Sequence, residues 1–206
     1  MNNRWNKLIY RAGAPFYDVL FNAGPFDRAR KKVFADLAPE PGQRVLLVGV
    51  GTGADLRYFC GKKLEITAVD LSQAMLAQAK LKVDGNEHIC FLEMDAQDLR
   101  FNDQCFDLVI ASLILSVVPD EHKCMSELVR VVKERGRIVI FDKFKGGEGG
   151  MPLISRMLRP LIALLGTDIG RDYRSMLKPH LGRVIIREDS PAMFGEMYRK
   201  IVLERK

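Results

Sequence analysis

Short apolar runs of strand length recur along the first 145 residues, separated by turns and by stretches with helical spacing. Residues 44–50 (RVLLVGV) follow the Pro41-Gly42 turn, and residues 65–70 (EITAVD) form a second run. Residues 89–94 give a third and residues 106–112 (FDLVIAS) a fourth. Residues 138–144, after Gly136-Arg137, give a fifth. Between them, a helix is predicted to open at residues 54–60. Ser72 caps another that reaches about residue 82, and a third runs from Pro119-Asp120 to about residue 133. VLLVGV and LVIAS are apolar at consecutive positions, as strands buried on both faces require. Strands alternating with helices predict a parallel sheet covered on both sides. After Gly146-Gly147 the pattern changes. Helical segments at about 152–165 and 171–177 precede strand-like runs at 183–187 and 197–204. The expected fold is α/β: a Rossmann-like, doubly wound sheet of seven strands, mostly parallel with an antiparallel edge strand. Residues 1–43 are expected to supply an N-terminal lid and amphipathic helices. Residues 44–145 supply the ligand-binding core, and residues 146–206 complete the same single domain.

Composition narrows the class. The 206 residues suit one core, and 48% hydrophobic with 28% charged residues is an ordinary soluble balance. No apolar run approaches the roughly 20 residues of a membrane span. Residues 1–11 are basic without the apolar stretch of a secretion signal, so a cytoplasmic location is expected. Cys60, Cys90, Cys105 and Cys124 form no CxxC pair, and His88, His122 and His180 are scattered. Reduced, buried thiols and no metal site are expected. The net charge of +6 is uneven: residues 1–44 carry about +4, residues 151–206 about +5, and the stretch between about −3. Basic flanks of this kind face anionic lipid, nucleic acid or phosphorylated substrates, or are simply a solvated surface.

The candidate chemistry begins at Val48-Gly49-Val50-Gly51-Thr52-Gly53, directly after the first strand. Glycines there allow close backbone approach to a ligand at the carboxyl end of the sheet. Gly49, Gly51 and Ala54 also satisfy the dinucleotide fingerprint. Asp70 ends the second strand about 20 residues on, where a carboxylate accepts the ribose hydroxyls of an adenosine. These two features suit a nicotinamide dinucleotide and S-adenosylmethionine (SAM) alike. Two further stretches separate them: Met94-Asp95-Ala96-Gln97-Asp98-Leu99 and Phe106-Asp107-Leu108-Val109. With GVGTG, AVDLS, DAQDLRF and FDLVIASLILSVVPD in this order, the sequence resembles the class I SAM-dependent methyltransferases of type 11, over about residues 7–145.

The resemblance implies SAM as cofactor and S-adenosylhomocysteine as product. It implies that Gly49, Val50, Gly51 and Gly53 approach the methionine portion and ribose. Asp70 would take the ribose hydroxyls, Leu71 and Met75 would flank the adenine, and Asp95 and Ala96 would address its amino edge. Ser112 and Leu113 would line the site near the methyl donor. Leu47 departs from the pattern, since many relatives are acidic there, and Asp55 is a candidate to compensate. Methyl transfer is an in-line displacement that needs mainly proximity and alignment. His180 and Asp142 are the candidate bases, each with a structural alternative.

For the acceptor, Tyr10-Arg11-Ala12-Gly13-Ala14-Pro15-Phe16-Tyr17-Asp18 resembles the lid signature of bacterial phosphatidylethanolamine N-methyltransferases and of quinone C-methyltransferases. That resemblance makes Tyr10 and Tyr17 candidates for acceptor positioning. Phe26, Ala29, Val33, Phe34 and Leu37 recur at helical spacing among Arg28, Arg30, Lys31 and Lys32. Residues 152–165 alternate apolar groups with Arg156 and Arg159. Such helices lie in a lipid interface or pack as ordinary core helices. Lys143, Arg156, Arg159, Arg171 and Arg174 are candidate readers of a substrate phosphate. The expected acceptor is a phospholipid head group such as phosphatidylethanolamine, with peripheral contact to an anionic membrane at the inner leaflet. The alternatives are a menaquinone- or ubiquinone-type ring methylated at carbon, or another small molecule. A nicotinamide-dependent oxidoreductase would leave DAQDL without a role, and a non-catalytic SAM binder is favoured only by Leu47. No RNA-reading module accompanies the core, so no nucleic-acid partner is expected. The oligomeric state is not legible.

Overall fold

The computed structural model describes residues 24–83, 89–145 and 170–206. Helix α1 covers Pro25–Phe34, and Pro25 occupies the first helical turn, where its missing N–H costs nothing. Strand β1 (Arg44–Val48), a 3₁₀ turn (Leu56–Tyr58), β2 (Glu65–Asp70), α2 (Gln73–Lys80) and β3 (Ile89–Glu93) follow. Then come β4 (Phe106–Ser112), α3 (Glu121–Val131), β5 (Val132–Lys143), α4 (Tyr173–Leu177), a second 3₁₀ turn (Lys178–His180), β6 (Val184–Met193) and β7 (Tyr198–Arg205).

The strands form one seven-stranded sheet in the order β3-β2-β1-β4-β5-β7-β6. β1 to β5 pair in parallel, and β7 runs antiparallel to both of its neighbours, beside the edge strand β6. The mostly parallel sheet read from the sequence is therefore the observed one. Its chain order reverses at β1, which pairs with β2 on one side and β4 on the other. In open α/β sheets that reversal opens a crevice at the strands' carboxyl ends.

Alternate residues divide the core into two layers. Leu46, Val48, Val109, Ala111, Ile138 and Ile140 pack under α3 and α4. Val45, Leu47, Leu108, Ile110, Val139 and Phe141 pack under α1, α2 and the first 3₁₀ turn. The apolar stripe of α1 (Phe26, Ala29, Val33, Phe34) and Leu37 beyond it belong to this second layer. Of the two packings open for this face, the core one is observed, because the sheet covers it. Arg30, expected on the polar side, is also buried and pairs with the buried Asp55 at 2.7 Å. Only Arg28, Lys31 and Lys32 of the basic set are exposed.

Local chemistry sets the helix starts. Ser72 accepts from the Met75 N–H and Asp120 from the Lys123 N–H, each satisfying a first-turn donor. The helix expected at 54–60 is only the 3₁₀ turn Leu56–Tyr58, after a run of left-handed glycines. The helix predicted over 152–165 lies outside the described residues. Among the described residues no helix is long and apolar enough to cross a membrane, and no cluster of three or more His, Cys, Asp or Glu could hold a metal ion.

Candidate functional site

The crevice is built from the ends of β1, β2 and β4. Gly49, Gly51 and Gly53 have φ of +70°, +53° and +83°, so the chain turns without side chains in its way. The N–H groups of Gly49 and Val50 both donate to the Val69 carbonyl, at 2.9 and 3.0 Å. The Gly51 N–H donates to Asp70 Oδ2 at 2.8 Å, and the Ser72 N–H to Asp70 Oδ1 at 2.9 Å. Asp70 therefore couples the glycine loop to the start of α2. Burial pushes its carboxyl above the usual range, and the N–H groups of Ser72, Gly51 and Leu71 oppose that shift. Leu71 follows it directly, and Met75 lies buried on the first turn of α2.

The glycines differ in what surrounds them. A Cβ on Gly49 would sit 2.6 Å from Ile114 Cδ1, so the loop after β4 closes on this residue. A Cβ on Gly53 would sit 3.0 Å from Ala79 of α2. Among the described residues nothing lies within 4 Å of that position on Gly51, leaving room for a ligand against its backbone.

Asp95 follows β3, and the Met94 N–H donates to the Asp70 carbonyl at 3.0 Å. Gln97 holds the Asp95 carboxylate through its backbone N–H and its side-chain amide, both at 2.9 Å. Its own carbonyl oxygen accepts from the Asp120 N–H at 2.8 Å. Sequence reasoning passed over Gln97, although its place inside DAQDL was the available signal. Ala96 is buried beside it.

β4 supplies the opposite wall. Ser112 is 8% exposed, and its Oγ has no hydrogen-bond partner among the described residues. Leu113 takes φ +56°, a costly conformation for a leucine, and its N–H donates to the Phe141 carbonyl at 2.7 Å. The fully buried Asp142 fixes the next turn, accepting from Ser116 N–H at 3.1 Å and Lys143 N–H at 2.8 Å. Burial raises its pKa, and both oxygens serve this loop rather than the crevice. His180 meets Ser126 Oγ at 3.3 Å, and that hydroxyl already donates to the His122 carbonyl. His180 Nε2 must then carry the proton and donate. Both candidate bases thus have structural partners.

The candidate phosphate readers are dispersed. Lys143 ends β5, directly opposite Tyr198 of β7. Arg171 is buried, with Nη1 donating to Glu121 at 2.7 Å and Nη2 to the Val118 carbonyl. That engagement ties its guanidinium to α3 and the preceding loop. Arg174 lies over the Tyr173 ring at 5.9 Å. Tyr10, Tyr17, Arg156 and Arg159 lie outside the described residues. Asp55, the candidate to replace the missing acid at Leu47, is occupied by Arg30.

A family model described as a methyltransferase domain matches residues 46–140. The phosphatidylethanolamine N-methyltransferase of Cereibacter sphaeroides is 35% identical over 149 residues, 71% of this chain and 73% of that enzyme. The demethylmenaquinone methyltransferase of Clavibacter sepedonicus is 36% identical over 106 residues, 52% of this chain and 43% of the relative, less than half its length. Among solved structures, a phosphoethanolamine N-methyltransferase 2 of Haemonchus contortus, in complex with phosphomonomethylethanolamine and S-adenosylhomocysteine, superposes with a TM-score of 0.72. It is 18% identical and covers 95% of this chain and 57% of its own, a likeness of fold.

Proposed function

Because this chain belongs to the class I SAM-dependent methyltransferases, we propose that it methylates the amine of a phospholipid head group such as phosphatidylethanolamine. It is an enzyme, and its cofactor is SAM. Among the described residues the crevice fits that group: space over Gly51, a carboxylate at Asp70 and a buried hydroxyl at Ser112 without a partner. In this reading Asp70 accepts from the ribose hydroxyls and Gly49, Val50, Gly51 and Gly53 bring backbone against the methionine portion. Leu71 and Met75 flank the adenine, and Asp95 and Ala96 face its amino edge. Ser112 and Leu113 stand nearest the methyl. When bound, SAM supplies a methyl on a sulfonium leaving group. The chain's part is to bind, to align the acceptor in line and to exclude water.

The observation that carries the lipid reading is the likeness to a phosphatidylethanolamine N-methyltransferase, sustained over 73% of that enzyme. Lys143, at the carboxyl end of β5, is the candidate for the head-group phosphate in this reading. Contact with an anionic membrane then falls to exposed positions such as Arg28, Lys31 and Lys32, since the apolar face of α1 is buried. The second reading, carbon methylation of a quinone precursor, rests on the demethylmenaquinone relative. Labelled SAM with mixed phospholipid vesicles, and with a quinone precursor in parallel, separates the two. Label in the phosphatidylethanolamine fraction is expected, and label in the quinone alone would overturn the proposal.

A further inference from the structure

The stretch 94–99 leaves β3 as a tight turn that α3 holds from both of its own ends. Within the turn, the Asp98 N–H donates to the Asp95 carbonyl at 3.0 Å. Toward the C-terminal end of α3, the Leu99 N–H donates to Glu127 Oε2 at 2.7 Å, and Arg130 Nη2 donates to the Leu99 carbonyl at 2.6 Å. At the N-terminal end, Gln97 Oε1 accepts at 2.8 Å from the N–H of Asp120, the residue that caps α3.

That last bond decides which way the Gln97 amide points. A backbone N–H can be accepted only by the amide oxygen, so the amide nitrogen faces Asp95. It lies 2.9 Å from Oδ1 and 3.2 Å from Oδ2. The backbone N–H of Gln97 also reaches Oδ1, at 2.9 Å. One oxygen is thus held by the main chain, and the side-chain nitrogen astride both sets the plane of the carboxylate. A carboxylate anchored in this way is aimed before a ligand binds, which lowers the ordering cost of binding. It also stands next to the ribose anchor, since the Met94 N–H donates to the Asp70 carbonyl at 3.0 Å.

We propose that Gln97 is a positioning residue for adenine recognition: it aims the Asp95 carboxylate at the 6-amino group and ties that aim to the start of α3. The assignment rests on the reading of Asp95 given above and extends it to a residue that acts through Asp95. The carboxylate accepts from the amino group, so a purine ring without that group gains nothing from the aim. The two ends of Gln97 are separable. Gln97→Glu keeps an acceptor for the Asp120 N–H but sets a second carboxylate against Asp95, whereas Gln97→Leu removes both side-chain bonds. The bonds from Glu127 and Arg130 to Leu99 stay in either variant and hold the turn in place.

The test is calorimetry with S-adenosylhomocysteine and its 6-deamino analogue, which carries unsubstituted purine in place of adenine. Wild type should bind the analogue about tenfold more weakly, the worth of one hydrogen bond to a charged group. Gln97→Glu and Gln97→Leu should each weaken S-adenosylhomocysteine about fivefold and leave the analogue within about twofold of its wild-type affinity. Gln97→Glu decides the matter by itself should Gln97→Leu fail to fold. Equal losses for the two ligands, or no loss for either, would overturn the role of Gln97 and leave the reading of Asp95 standing. A wild-type protein that binds the two ligands equally would overturn the reading of Asp95 and the role of Gln97 with it.

Discussion

Gly49→Ala isolates the fit between the glycine loop and the loop after β4. Two costs combine. The left-handed φ of +70° penalises any side chain, by about 1–2 kcal/mol. The added methyl would then stand 2.6 Å from Ile114 Cδ1, 2.9 Å from Cγ1 and 3.0 Å from Cβ. Rotating the Ile114 tip relieves the first contact but not the last, so the loop from Leu113 must shift. Overpacking of this kind costs about 1–3 kcal/mol. The expected loss is about 3 kcal/mol, or about a 10 °C fall in Tm for a chain of this length.

Urea unfolding and calorimetry with S-adenosylhomocysteine measure the two consequences. Ile114→Ala in the Gly49→Ala background should restore part of both, because it removes the clash and leaves the backbone penalty. Gly182→Ala is the control: its φ lies outside the left-handed region and nothing lies within 4 Å of its Cβ position. It should be neutral or slightly stabilising. Unchanged stability in Gly49→Ala, or no coupling to Ile114, would refute the proposed contact between the loops.

Three shorter predictions follow from the buried charges. Asp70→Ala should weaken S-adenosylhomocysteine by about tenfold or more, whereas Asp36→Ala at an exposed site should not. Since burial raises the Asp70 pKa, wild-type affinity should begin to fall on acidification at a pH above the ordinary carboxylate range, as calorimetry across pH will test. Asp55→Ala removes the buried ion-pair partner of Arg30 Nε and should cost about 1.5–3 kcal/mol in urea unfolding, with Arg30→Met in the same chain recovering part of it. His180 is held below its ordinary pKa by burial and by the nearby Arg183 and His122. Its lowered folded value means its contribution is present above about pH 6.5 and is lost as pH falls through the folded value. Replacement by Gln should flatten the fall in Tm between about pH 7 and 5.

The crevice at the ends of β1, β2 and β4 was legible because its parts are local in sequence. GVGTG, Asp70 with Ser72, and DAQDL each lie within a few residues of a strand end, and each carries its own turn or cap chemistry. The wall beyond β4 has no such signature. Ser112 of β4, Phe141 of β5 and Tyr198 of β7 lie along one face of the sheet only because β7 enters it antiparallel between β5 and β6. Tyr198 is core there, packed against Phe26 and Phe141. The two packings left open for α1 have the same origin. Its stripe of Phe26, Ala29, Val33 and Phe34 is identical for a helix lying on lipid and one lying on a sheet, and only the partner decides. Arg30 shows the decision most directly: a helix floating on a membrane would keep this arginine in water, whereas here it reaches inward to Asp55 just after the glycine loop. The helix is thereby fastened to the element that follows the glycine loop. Loss of that ion pair should therefore loosen S-adenosylhomocysteine binding as well as the fold, and a fold weakened without any change in cofactor affinity would show the two to be independent.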